Sequence, residues 1–353
     1  MRRALLGLFV TAVAIAGVAG YVAAAREREF RRLVAVGEAA RARGETQTAV
    51  EAFSGAIALR PDAMLPYLRR GDIYRLRGDL QAALRDLRAA ARLDPTAPRP
   101  LESLGDAHYA LRRYDRAVAY FEAGLRLDDR SARLLYKLAL AHYQGGRPGA
   151  AVEPLRRALA LDPRFAEAHY LLGLALDAIG QRRAAAAALR RAVALEPGFV
   201  EARSELAAVF RALGRPADEI EQLEAIAALD PRPERHVALG LAHARAGRFD
   251  QAIAVLGRAA ERAPDHPAAY VALGRLWLDA AETRGDHIAL RKAIEALEQA
   301  LGAGDDRSEV LTLFGRALYL SADYDLAEQV LREAATKRPV EPLALAYLAD
   351  AAE

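Results

Sequence analysis

The chain has 353 residues, is 53% hydrophobic and carries a formal net charge of only +3. Its apolar surplus is alanine and leucine with few aromatics, which favours close-packed helices over sheets. It has no cysteine, which excludes disulfides, thiolate zinc sites, cysteine nucleophiles and a lipid-modified cysteine anchor.

The charge is unevenly spread. Residues 1–199 hold 32 Lys and Arg against 21 Asp and Glu, or +11, while residues 200–353 hold 18 against 26, or −8. The chain opens with Arg2 and Arg3, followed by an uncharged run, ALLGLFVTAVAIAGVAGYVAAA, at 4–25. As a helix this run would extend about 33 Å, enough for a bilayer core of about 30 Å. Segment 1–29 is therefore expected to be a single-pass anchor with its flank, placing the protein in a membrane, in a bacterium the inner one. A secretory signal, with Ala23 and Ala25 forming a cleavage site before Arg26, is the alternative. Arginines on both flanks (Arg2 and Arg3; Arg26, Arg28, Arg31 and Arg32) leave open which side the remainder faces.

From Phe30 a small residue recurs at Gly37, Gly71, Gly105, Ala139, Gly173, Ala207, Gly240, Gly274 and Gly315, mostly 34 residues apart. A helix-stopping residue keeps step at Pro61, Pro95, Asp129, Pro163, Pro197, Pro231, Pro264, Asp305 and Pro339. A large apolar series runs between them: Phe53, Leu87, Phe121, Leu155, Leu189, Leu223, Leu256, Leu297 and Leu331. Three series in phase define an internal repeat. Each unit predicts helix A, a short turn, helix B and a second turn. The units fall at 30–63, 64–97, 98–131, 132–165, 166–199, 200–232, 233–266, 267–307 and 308–341.

Glycine should end helix A at Gly44, Gly78, Gly146, Gly180, Gly214 and Gly247, where the left-handed backbone suits it. Asp115, Asp250 and Asp325 are placed to cap helix B. The small residue of helix A is expected to face alanine on helix B (Ala83, Ala117, Ala151, Ala185, Ala252, Ala293, Ala327), letting the backbones approach. Glu219 takes that alanine's place in the sixth unit and should loosen its joint. Seven extra residues in the eighth unit should lengthen the turn near Glu282–Ile288. Residues 342–353 read as a capping helix or the first helix of a further repeat, with Leu345 and Leu348 inward.

This pattern resembles the tetratricopeptide repeat family over residues 30–341. The departures are modest: the aromatic near the start of helix A is Tyr67 or Tyr270 in some units but Leu101, His169 or Arg203 in others. The resemblance implies an all-α, right-handed superhelical solenoid of helix-turn-helix repeats, here preceded by one transmembrane helix. It also implies that the second, fifth, ninth and twelfth residues of each unit line a concave groove. A protein-binding groove is thus expected at Asp72, Glu102, Asp106, Tyr109, Tyr136, Leu140, Tyr143, Tyr170 and Leu174. Arg75 joins them, and Val237, Leu241, Val271, Arg275, Arg316 and Tyr319 follow in later units. The tyrosines combine apolar area with a hydroxyl at low rotamer cost. The family's lysine and asparagine clamp for carboxylate tails is missing, since Val34, Glu38, Leu68 and Asp72 stand at its positions.

No chemistry of catalysis is legible. His108, His142 and His243 share one repeat position and His169 and His236 another, both packing positions, with no converging partners for a metal or acid–base role. No phosphate-cradling loop, nucleophile elbow or HExxH occurs. The expectation is a protein that is not an enzyme, with no catalytic residue, cofactor or metal. Arg85, Arg88, Arg156, Arg157, Arg190 and Arg191 fall on B helices as a solvated, salt-bridged face. The basic amino-terminal half could also meet anionic lipid; nucleic acid is disfavoured because no aromatic stacking platform accompanies the arginines.

The functional expectation is a membrane-tethered scaffold that binds a peptide or helical segment of a partner in the concave groove. The alternatives are the non-catalytic repeat region of a longer enzyme, such as a glycosyltransferase, or a regulator of bacterial envelope assembly.

Overall fold

The computed structural model describes the backbone of residues 2–351 and the side chains of residues 15–351. The described residues form nineteen α-helices and no strand. They divide into two compact units, Met1–Ile179 and Gly180–Glu353.

The first unit holds α1 (Arg2–Ala42), α2 (Thr46–Leu59), α3 (Met64–Leu76), α4 (Leu80–Leu93) and α5 (Pro98–Ala110). It continues with α6 (Tyr114–Leu127), α7 (Ala132–Gln144), α8 (Pro148–Leu161) and α9 (Ala166–Ala178). The second holds α10 (Arg182–Leu195), α11 (Val200–Ala212), α12 (Pro216–Leu229), α13 (Pro233–Arg245) and α14 (Phe249–Arg262). It ends with α15 (Pro267–Arg284), α16 (His287–Gly302), α17 (Ser308–Leu320), α18 (Tyr324–Thr336) and α19 (Pro342–Ala351). Within each unit every helix packs on its successor, and α3 also touches α5, α7 touches α9, and α15 touches α17. First helices of adjacent pairs therefore share one face.

The core is built from the two periodic series. Ala83, Ala117, Ala151, Ala252, Ala293 and Ala327 are fully buried, as are Phe53, Leu87, Leu155, Leu256, Leu297 and Leu331. Burying one such large side chain contributes about 1.5–3 kcal/mol. The small residue of helix A also meets the large series of helix B. A Cβ added at Gly71 would lie 2.8 Å from Leu87 Cγ, and one at Gly274 would lie 2.6 Å from Leu297 Cγ. Gly37 meets Phe53, Gly105 meets Phe121, and Gly315 meets Leu331 in the same way. Glycine is there to admit a large side chain of helix B into helix A.

The turn glycines adopt the left-handed backbone as expected, with φ between 66° and 85° at Gly44, Gly78, Gly146, Gly180, Gly214 and Gly247. Arg112 (φ 55°) and Ala322 (φ 66°) hold the same conformation without glycine's freedom. The expected aspartate caps are not made, and α6 and α14 have Arg113 and Arg248 at their N-caps with no side-chain cap hydrogen bond. Asp115, Asp250 and Asp325 lie inside the first turn, where they favour the helix dipole, while Asp323 and Asp286 accept the cap hydrogen bonds.

Glu219 is buried in the place of the usual alanine and accepts a 2.6 Å hydrogen bond from Arg245, and Leu223 beside it is only partly buried where its counterparts are fully so, in keeping with a looser joint. Two further expectations are corrected. The extra residues of the eighth unit do not lengthen a turn. They extend α15 to 18 residues and α16 to 16, and Gly285 in the left-handed conformation joins the two. In α19 Leu348 is half-buried as expected, but Leu345 is 58% exposed and Ala344 is buried instead.

The membrane anchor is the largest correction. No helix among the described residues is long and apolar enough to cross a membrane. Ile15–Ala25, the part of the uncharged run whose side chains are described, would rise about 16 Å, half of a bilayer core of about 30 Å. From Arg26 onward α1 is charged and belongs to the repeat core: Arg60 reaches Glu27 at 3.0 Å and lies 5.0 Å over the Phe30 ring. The side chains at 4–14 lie outside the described residues.

Candidate partner-binding cleft

A cleft of about 520 Å³ opens in the first unit between α5, α7 and the start of α9. Arg75, Asp106, Tyr109, Arg133, Tyr136, Lys137, Leu140, Phe165 and Glu167 line it, with Ala110 and Phe121. Spacing explains the convergence. Residues four apart share one face of a helix, so Glu102 and Asp106 project together from α5, as do Tyr136 and Leu140 from α7.

Aromatic rings form the apolar wall. Tyr136 packs on Phe165 with centroids 4.9 Å apart, and Tyr109 meets Tyr114 edge-on at 5.5 Å. Burial raises the Tyr136 hydroxyl's pKa, and the Glu167 carboxylate and Tyr109 add to that. Burial followed by Tyr114 does the same for Tyr109. Both hydroxyls therefore stay protonated and able to donate.

Lys137 bridges two carboxylates at one edge, with Nζ 2.6 Å from Glu102 and 2.7 Å from Asp106. Burial works to raise the Glu102 pKa, but the Lys137 hydrogen bond and the charges of Lys137, Arg99 and Arg133 outweigh it. Glu102 is thus held below the usual carboxylate range and remains ionised. The bridge ties α5 to α7, and so one repeat to the next.

Of the expected groove residues, Asp106, Tyr109, Tyr136 and Leu140 line the cleft, and Glu102 joins through Lys137. Asp72 stands beside it, 4.0 Å from Arg75. Tyr143, Tyr170 and Leu174 are half-buried on α7 and α9 but do not line this cleft. In the second unit Val271 is buried, while Arg275 pairs with Glu309 and Arg316 with Glu282. Arg133 and Glu167 hold the second position of their units, so the repeat rule reaches them, whereas Lys137 and Phe165 stand at positions that it does not flag. The signal that marks Lys137 is a rare lysine in an arginine-rich chain, one repeat after an acidic i, i+4 pair.

Packing accounts for the histidines. His108 is buried and stacks on Tyr120 at 5.2 Å with a 9° interplanar angle. Burial, aided by Arg116, Arg88 and Arg113, pushes it down to about 4. Burial also lowers His142 and His243. Among the described residues no group of His, Asp or Glu could hold a metal ion. The expected salt-bridged arginine face holds at Arg190, which reaches Asp218 at 3.0 Å. Arg85 and Arg88 are exposed without such a partner.

The tetratricopeptide repeat profile matches residues 103–166, 170–232 and 289–342, together just over half of the chain. The chain belongs to the tetratricopeptide repeat family. Related profiles of the same repeat cover residues 71–112 and 233–276. Among curated proteins none matches the sequence. Solved structures of this family do resemble it. A tetratricopeptide repeat protein from Parabacteroides merdae is 14% identical with a TM-score of 0.51, covering 82% of this chain and 99% of that one. Pseudomonas aeruginosa PilF is 16% identical with a TM-score of 0.51, covering 59% and 94%. YrrB, described as a TPR protein with an unusual peptide-binding site, is 24% identical with a TM-score of 0.48, covering 56% and 99%. The likeness to the first two is one of fold.

Proposed function

We propose that this tetratricopeptide repeat protein is a protein–protein interaction scaffold, holding a peptide or helical segment of a partner in the cleft between α5, α7 and α9. The observation that carries this reading is the cleft's composition. A wall of Tyr109, Tyr136, Leu140 and Phe165 offers apolar area, and ionised groups at its edge offer orientation. Peptide-binding surfaces combine aromatic anchors with a polar rim in this way. Division into nine repeats at the boundaries given above is part of the same reading. The scaffold acts by positioning and performs no catalytic step.

The test is selection of binders to the full chain from a displayed random-peptide library, followed by affinity measurement on variants. Tyr136→Ala combined with Leu140→Ala is expected to weaken the selected peptides at least about tenfold, or roughly 1.4 kcal/mol, with helicity unchanged. Selected peptides that bind the double variant as tightly as the native chain would place the binding surface elsewhere.

A further inference from the structure

The other side of the first unit carries a different chemistry. α4 sets Arg85, Arg88 and Arg92 at i, i+3 and i+7, a single stripe about 10.5 Å long. With Ala91, Leu101, Leu104 and Tyr120 they line a second cleft, of about 570 Å³, that contains no carboxylate. All three arginines are exposed, and none is ion-paired among the described residues. Their neighbours behave otherwise: Arg60, Arg69, Arg70 and Arg99 of the same unit each reach a carboxylate. Arg113 and Arg116, also exposed, add to the positive field felt by His108 beneath Tyr120.

We propose that this cleft is a second docking site, for an acidic segment of a partner protein that carries an apolar side chain among its carboxylates. Guanidinium groups pair with carboxylates through a planar, bidentate fork, which suits arginine where lysine would serve less well. In an extended chain, carboxylates two to four residues apart span about 7–13 Å, which brackets the arginine stripe. The floor of Leu101, Leu104 and Tyr120 calls for an apolar group between the charges, a feature that a phosphate backbone lacks. Charge complementarity therefore selects an acidic protein segment over nucleic acid.

Fluorescence anisotropy of the full chain with a short labelled peptide alternating glutamate and leucine tests this. Binding is expected to weaken with added salt. It should fall at least about tenfold in Arg85→Gln/Arg88→Gln/Arg92→Gln, whose exposed positions leave the helical signal intact. Arg156→Gln/Arg157→Gln on α8, which removes exposed charge elsewhere in the same unit, should leave binding unchanged. The proposal is overturned if the triple variant binds like the native chain, or if the α8 variant loses as much. It also falls if a glutamate–serine peptide binds equally well, if a DNA oligonucleotide binds more tightly through the same arginines, or if the native chain binds no peptide.

Discussion

At the scale of single residues, the turn after helix A shows what a repeat tolerates. Arg112 and Ala322 occupy the left-handed conformation that glycine holds in most other units. That backbone costs a residue with a side chain about 1–2 kcal/mol. Arg112→Gly is therefore expected to stabilise the chain by about 0.5–1 kcal/mol, net of the freedom glycine adds to the unfolded state. The shift of a urea midpoint measures it, and no shift would mean that Arg112 is not strained. His108 gives a pH dependence of known direction. Between 6.5 and about 4 the unfolded chain takes up a proton that the folded, buried imidazole refuses. Stability should fall as pH drops through that window, and His108→Phe, which keeps a ring against Tyr120, should flatten the fall. Equal pH profiles of melting temperature in the two proteins would remove His108 from the account.

At the scale of helices, the joint within a pair is a large side chain seated on a missing one. Leu87 is fully buried, so it has nowhere to retreat if Gly71 gains a methyl group. Gly71→Ala is expected to cost about 1–3 kcal/mol, although alanine is the better helix former. Denaturant titration checks this, and a neutral or stabilising result would show that the pair can open without loss. The same joint explains how much could be read in advance. Helix pairs, turn glycines and buried series follow from one-dimensional spacing, because each depends on residues a fixed distance apart in the same unit. That Leu87 also seats against Gly71 did not follow, since it requires the rotation of one helix against another. Nor did the lengthened α15, because an insertion shows its length but not whether it continues a helix. In the cleft, Tyr109, Tyr136 and Leu140 follow from repeat position. Phe165 sits in a connecting turn and Lys137 is fixed by contact with the preceding unit, so neither lies on the helix-A positions that flag a groove.

At the scale of the whole molecule, each helix within a unit depends mainly on its immediate successors, so stability should spread from a lesion by neighbour contact. Leu297→Ala, which empties a fully buried position in α16, should cost about 2–5 kcal/mol. Hydrogen exchange should show protection lost most in α15, α16 and α17 and progressively less towards α11. An equal loss throughout the second unit would mean that it unfolds as one block. Lys137 carries a consequence of another kind, for what can enter the cleft. Glu102 and Asp106 are each less than one-fifth exposed, and Lys137 is their shared counter-ion on a flexible stem. An incoming carboxylate can take Lys137 only by stranding the shielded Asp106 and leaving Glu102 to Arg99 and Arg133 alone, which is costly. An incoming ammonium or guanidinium group can take over both anions while Lys137 swings out to water. The cleft is a lock supplied with its own blank key, and the visitor that fits is the one with the same charge as the blank.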